Sequence, residues 1–80
     1  MIFKTENGSV YELDEVDSQI RRLSGTRPAT ERIGEHQWKT FDRLYSDPAV
    51  GKSLLIIWNA DADAGVWKTT LTGRLTEITR

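Results

Sequence analysis

The chain begins with two short runs of β-capable residues, 1–6 and 9–14, separated by the polar pair Asn7-Gly8. An Asn-Gly pair between such runs favours a two-residue hairpin turn of type I′, in which both central residues need a positive φ. We therefore expect a β-hairpin at the beginning of the chain.

The most apolar segment is residues 53–58, which are apolar on both faces and rich in β-branched side chains. This pattern predicts a central strand that is buried from two sides. A further strand is predicted at residues 19–23, after an acidic turn at 14–18. The threonine-rich residues 66–78 predict either one long strand or two strands broken near Gly73.

Three aromatic residues lie within residues 38–45, at intervals of three and four. That spacing fits one face of a helix, and the same residues also fit a strand with a bulge; we favour the strand. Residues 46–51 then form a turn, because Asp47-Pro48 suits the first turn positions and Gly51 can adopt a positive φ at the exit.

The order of these segments predicts the fold class. Residues 26–37 contain Pro28, Gly34 and little apolar periodicity, which predicts a long loop. The strands follow one another at short spacing, without a helix of a dozen residues between them, and this excludes βαβ architectures. We expect an all-β, single-domain fold over residues 1–80: a small antiparallel barrel or sandwich of five to six strands, SH3-like or OB-like.

Size and composition limit how this fold is stabilised. A chain of 80 residues buries only about 60% of the surface that its unfolded form exposes. It has no cysteine, so disulfides and thiolate zinc sites cannot stabilise it. Apolar burial must therefore stabilise the fold, and we assign Trp58 and Trp67 to the core. We also expect a homo-oligomer that covers a further apolar face.

Localisation follows from what the sequence lacks. Residues 1–6 do not show a basic region followed by an apolar stretch, and the longest apolar run, residues 54–58, is far below membrane-spanning length. We expect a cytoplasmic protein.

Two fragments imitate ligand-binding motifs. Residues 51–53, Gly-Lys-Ser, end like a phosphate-binding loop, but they lead into a strand where that motif requires a helix N-terminus. Asn59, Asp61 and Asp63 alternate as calcium ligands do, but the Glu that should close the loop would fall at Thr70. We interpret both fragments as turns, and predict no metal site and no cofactor.

Catalytic chemistry has equally little support. His36 is the single histidine, it lies beside Glu35, and no serine or cysteine nucleophile has an evident partner. We predict a non-enzymatic protein with no catalytic residues.

The distribution of charge points to binding. Residues 1–20 carry one lysine against five carboxylates, whereas residues 21–45 carry six basic residues, five of them arginines, against three acidic ones. The planar guanidinium of arginine suits carboxylates, phosphates and aromatic faces. The predicted binding residues are Arg21, Arg22, Arg27, Arg32 and Trp38.

Two functions compete for this stretch. A protein-interaction module would use arginine and tryptophan as anchors for a protein partner, and we prefer it. The alternative is a small barrel that binds single-stranded nucleic acid, which a net charge of −1 and a pI near 5.7 oppose. A nucleic-acid role predicts that the basic residues converge on one face, whereas a purely structural role predicts that they pair with carboxylates.

Three segments carry a family resemblance: Gly-Ser-Val-Tyr-Glu-Leu-Asp at 8–14, Ile-Arg-Arg-Leu-Ser-Gly at 20–25 and Leu-Leu-Ile-Ile-Trp at 54–58. With the threonine-rich end, they resemble small uncharacterised proteins of actinobacteria and their phages. The resemblance implies an accessory protein of a phage or mobile element, or of its host, that works by binding another protein. It implies no catalytic residues.

Overall fold

The computed structural model describes residues 1–25, 33, 36–61 and 66–80, except the side chains of 59–61, 66 and 67, and its regular secondary structure is all β. The all-β prediction is confirmed. Seven strands lie within these described ranges: β1 (Ile2–Thr5), β2 (Val10–Asp14), β3 (Gln19–Ser24), β4 (Lys39–Thr40), β5 (Arg43–Leu44), β6 (Ser53–Asp61) and β7 (Val66–Thr79).

The N-terminal hairpin forms where the Asn-Gly pair predicts it, but the turn differs. Gly8 N donates to Thr5 O (3.0 Å), and Thr5 N donates to Ser9 O (2.9 Å). Gly8 has a φ of 85°, whereas Asn7 does not have a positive φ. The predicted type I′ turn is therefore wrong: the loop has three residues and ends on a single left-handed glycine.

Contacts with β7 explain this longer loop. Glu6 N donates to Arg74 O (2.8 Å). The Asn7 amide lies against Gly73, where an added Cβ would stand 2.6 Å from Asn7 Oδ1. The turn is thus shaped by a strand that is distant in sequence, which the local pattern cannot reveal.

The acidic turn between β2 and β3 is organised by its first carboxylate. Asp14 Oδ1 accepts hydrogen bonds from Val16 N and Asp17 N, each at 3.0 Å. Ser18 then adopts a φ of 53° and leads into β3. This strand confirms the prediction for residues 19–23 and extends it by one residue.

Residues 38–45 hold two separate short strands in place of one bulged strand or a helix. β4 pairs with β3, and β5 pairs with β6. In the link between them, Phe41 N donates to Ser18 O (2.9 Å) and Asp42 N donates to Ile57 O (2.8 Å). The segment therefore bonds to two different strands, which raises the strand number above the five to six expected.

The strand order shows how the sheet curls. All neighbours are antiparallel in the order β4-β3-β2-β1-β7-β6-β5, so the consecutive strands β4 and β5 form the two edges. In a flat sheet those edges would lie about 29 Å apart, at about 4.8 Å per strand. Thr40 and Arg43 are only three residues apart and can span at most about 11 Å. The sheet is therefore curled into a half-barrel, which confirms the predicted small antiparallel barrel or sandwich.

β7 joins the two halves of this curled sheet. Gly51 takes a φ of 88° in the predicted turn at 46–51, and β6 follows. β7 then runs for 14 residues without a break at Gly73, which selects the single long strand among the two alternatives. Its first part pairs with β6 up to Arg74, and from Leu75 onward it pairs with β1.

The core fills the concave side of the sheet. Its cluster of buried side chains comprises Phe3, Leu13, Ile20, Ile33, Phe41, Leu54, Ile56 and Leu75. Ile57 is also buried, outside this cluster, so β6 buries an apolar side chain on each face, although Leu55 on the outer face is only half-buried. Ile33 belongs to the predicted loop at 26–37, of which only residues 33, 36 and 37 are described; they form no strand.

Trp58 is one of the two tryptophans assigned to the core. It is half-buried and packs against the core cluster, and its Nε1 donates to Thr70 Oγ1 (2.7 Å). The assignment of Trp58 to the core is confirmed, at its border. The side chain of Trp67 lies outside the described residues.

Candidate binding surface

The two neighbouring arginines of β3 lie on opposite faces of the sheet. Arg22 shares the inner face with Ile20 and is only 2% exposed, with its Nε donating to Ser24 O (3.4 Å). Arg21 faces outward, because successive residues of a strand point to opposite sides. Both are predicted binding residues, but burial removes Arg22 from the accessible surface. Arg27 and Arg32 lie outside the described residues.

Arg21 and Trp38, by contrast, come together. The guanidinium carbon of Arg21 lies 4.6 Å from the centre of the Trp38 ring, within the range of a cation–π interaction. Glu12 faces Arg21 across the β2–β3 ladder and accepts a hydrogen bond from its Nε (2.7 Å). Glu12 thus holds the guanidinium in place over the indole. We call Arg21 and Trp38 the Arg21–Trp38 pair.

This arrangement leaves the tryptophan accessible. Trp38 is 38% exposed, although it carries one of the largest apolar side chains of the described residues. The Arg21 and Glu12 side chains are about one third exposed, so their ion pair is partly shielded from water. The surface therefore presents a large aromatic ring whose orientation is fixed by a neighbouring charge.

A groove adjoins the Arg21–Trp38 pair. It has a volume of about 410 Å³, and its apolar lining includes Met1, Val16 and Trp38. Three carboxylates also line it: Glu12, Asp14 and Glu15. We call this feature the acidic groove.

Backbone hydrogen bonds bring the parts of the acidic groove together. Met1 O accepts from Leu13 N (2.8 Å), and the terminal amine of Met1 donates to Leu13 O (3.1 Å). The Asp14 carboxylate holds the turn that carries Glu15 and Val16. The C-terminal residue Arg80 also lines the groove, and its Nη1 lies 3.9 Å from Glu15 Oε2.

A second exposed apolar surface lies on the outer side of β5, β6 and β7. Tyr45 N donates to Leu55 O (3.0 Å), and Leu55 faces Leu71 across the β6–β7 ladder. Tyr45 is 75% exposed and Leu71 is 66% exposed. A homo-oligomer would need an apolar face of this kind; self-association stays a prediction.

The fragments that imitate ligand-binding motifs are only partly described. Residues 51–53 lead into the strand β6. A phosphate-binding loop would lead into a helix, so this position agrees with the interpretation of residues 51–53 as a turn. His36 is exposed, and its N donates to Arg22 O (2.9 Å). Glu35, Asp63 and the side chains of Asn59 and Asp61 lie outside the described residues. Across the part of the chain that is described, no three His, Asp or Glu side chains are grouped so that they could hold a metal ion.

The acidic groove was not predicted from the sequence. The sequence predicts only an acidic turn at residues 14–18 in this region. The available signal was Val16, an apolar β-branched residue in the middle of that acidic turn, which is 92% exposed. An apolar side chain left in water beside several carboxylates indicates a surface with mixed chemistry.

Among residues 1–25, 33, 36–61 and 66–80, no helix has the length and apolar character needed to cross a membrane.

Comparison with known proteins found no match to this chain among protein-family models, curated proteins or solved structures.

Proposed function

We propose that this chain is a small non-enzymatic protein-binding module whose partner docks on the Arg21–Trp38 pair. The observation that carries the proposal is the 38% exposure of Trp38 while Arg21 and Glu12 fix its surroundings. Tryptophan and arginine, together with tyrosine, are the side chains enriched at the energetic centres of protein interfaces.

The fixed geometry favours binding. Ordering a flexible side chain at an interface costs about 0.5–1.5 kcal/mol. The Arg21 side chain is already held by Glu12 on the neighbouring strand, and it lies over the Trp38 ring. A partner that covers the indole therefore gains apolar burial with less loss of side-chain freedom.

The charges around the pair support a protein partner over nucleic acid. The charge of Arg21 is compensated by Glu12, and Asp14 and Glu15 line the adjacent groove. Nucleic-acid binding relies on basic side chains that neutralise phosphates, and these carboxylates would repel a polyanion. The single-stranded nucleic-acid interpretation is therefore the second candidate.

An affinity capture from a lysate of the source organism tests the proposal. The bait is the whole chain, as wild type, as Trp38→Ala and as Tyr45→Ala, which removes an exposed aromatic side chain on the β5 edge. We expect a nuclease-resistant protein to be captured by the wild type and by Tyr45→Ala, and to be lost with Trp38→Ala. Circular dichroism and thermal unfolding of each bait establish that the variants are folded.

Two outcomes would contradict the proposal. Equal recovery by the wild type and Trp38→Ala would show that the partner docks elsewhere. Recovery of nucleic acid, or of proteins that disappear after nuclease treatment, would favour the second candidate.

A further inference from the structure

The acidic groove combines two chemical features that one type of side chain can satisfy together. Lysine and arginine carry an apolar stem that ends in a positive charge, and they commonly lay the stem on apolar surface while the charge stays near water or a carboxylate. In the groove, Met1, Val16 and Trp38 supply apolar surface, and Glu12, Asp14 and Glu15 supply negative charge.

We propose that the acidic groove binds a lysine or arginine side chain of the partner protein. The inference rests on the proposed function and names the chemistry of the partner: an exposed segment with a basic residue that reaches beside Trp38. The stem lies against Val16 and the indole, and the charged end lies at the carboxylate of Glu15.

Glu15 is the carboxylate best placed for an incoming cation. Glu12 is engaged by Arg21, and one oxygen of Asp14 accepts two backbone hydrogen bonds of the turn. Glu15 instead faces Arg80 at 3.9 Å, and both side chains are substantially exposed. Exposed ion pairs of this kind contribute little, so a partner's cation can displace Arg80.

The position of Arg80 also shows that a guanidinium can approach Glu15 at the border of the groove. Its side chain already lies among the lining residues with its Nη1 toward Glu15. The volume of about 410 Å³ falls within the range of about 300–1,000 Å³ typical of ligand sites, which leaves room for a side chain from a second molecule.

The test is a titration of the ¹⁵N-labelled chain with the blocked peptide acetyl-Ala-Ala-Lys-Ala-Ala-amide, followed by NMR. The matched peptides carry arginine or norleucine in place of lysine; norleucine keeps an apolar stem without the charge. We expect the lysine and arginine peptides to shift the Glu15 and Val16 amides and the Trp38 indole N–H saturably. The norleucine peptide should bind about two- to fivefold more weakly, as expected for loss of an exposed charge contact.

Variants of the chain locate the site. Glu15→Gln should weaken the lysine peptide about two- to fivefold, and Arg80→Ala should strengthen it by a similar factor. The matched control is Glu77→Gln, which removes an equal charge from an exposed carboxylate that pairs with Lys4 (3.4 Å) on another part of the sheet. Its affinity for the peptide should equal that of the wild type.

Several results would overturn the inference. Equal shifts with lysine and norleucine, or an unchanged affinity in Glu15→Gln, would show that the groove does not select a positive side chain. If magnesium or calcium chloride shifts the same signals and prevents the peptide from binding, the groove is a site for metal cations instead. If the lysine peptide gives no saturable shift while Trp38→Ala still loses a captured protein, this inference fails and the proposed function stands.

Discussion

Thr72 supplies a side-chain hydrogen bond at a point where β6 and β7 shift register. The shift lies between Ser53 and Leu55. There, Leu54 N donates to Thr72 Oγ1 (2.9 Å), and the same hydroxyl donates to Gly73 O (2.8 Å). Thr72 is 7% exposed, so water has little access to these groups. The hydroxyl thus satisfies backbone groups that the shifted ladder would otherwise leave without a partner.

Replacing Thr72 by valine tests this role. The change keeps the shape and β-branching of the side chain but leaves a buried N–H without its acceptor, which costs about 1–3 kcal/mol. We expect the free energy of unfolding, measured by urea denaturation, to fall by that amount. The control is Thr76→Val, at an exposed position with only a long hydrogen bond to Lys4 O (3.4 Å), where a change within about 0.5 kcal/mol is expected. Equal losses in both variants would contradict the assignment.

The charge of a residue did not decide its environment; its position in the strand did. Arg21 and Arg22 are identical in type and adjacent in sequence, yet one faces the solvent beside Trp38 and the other lies in the interior. The alternation of a strand separates them. The cluster of basic residues seen in the sequence is therefore not a single patch among the described residues.

At the level of elements, the β1–β2 hairpin depends on one left-handed residue. Gly8 has a φ of 85°, and an added Cβ there would have no atom within 4 Å. Substitution at this position is therefore limited by backbone conformation and not by space. The requirement is local, which is why the Asn-Gly pair predicted the hairpin even though the turn type differs.

Two substitutions of Gly8 separate these effects. Asparagine tolerates the left-handed region, whereas a β-branched residue does not. We expect Gly8→Val to lower the free energy of unfolding by about 1–2 kcal/mol more than Gly8→Asn does. Thermal and urea denaturation of both variants measure the difference. Equal stabilities would show that Gly8 is not held in this conformation.

At the level of the whole molecule, the curled sheet depends on the link between its two edge strands. Phe41 and Asp42 lie between β4 and β5, and their amides bond to Ser18 O and Ile57 O on separate strands. The Phe41 side chain is 5% exposed and belongs to the core cluster. These two residues thus join the edges, and the Phe41 side chain fills the space between them.

Truncating Phe41 should destabilise the entire fold. Phe41→Ala should cost about 3–5 kcal/mol, a large part of the about 4–12 kcal/mol expected for a domain of this length. Urea denaturation measures the loss, and Tyr45→Ala, which truncates a 75% exposed aromatic residue, should change stability by less than about 0.5 kcal/mol. Phe41→Leu should retain most of the stability. A mild effect of Phe41→Ala would contradict its role in closing the sheet.

The sequence by itself predicted the features that depend on local conformation or on the burial pattern. Asn7-Gly8 predicted a hairpin, Gly51 a turn with positive φ, and residues 53–58 a strand with buried side chains on both faces; the structure confirms the first two, and the third in part, since Leu55 is only half-buried. Each signal lies within a few residues, because backbone dihedral preferences and side-chain alternation act over that distance. Trp38 was predicted as a binding residue for its type and its neighbours; the structure shows only that it is 38% exposed.

The tertiary structure decided what depends on contacts between distant parts of the chain. It split residues 38–45 between two edges of the sheet, placed Arg22 inside, and brought residues 1, 12–16, 38 and 80 around one groove. These outcomes follow from strand pairing and curvature, which are set by long-range hydrogen bonds and packing. A local pattern of apolar and polar residues carries no information on which distant segment will become its neighbour.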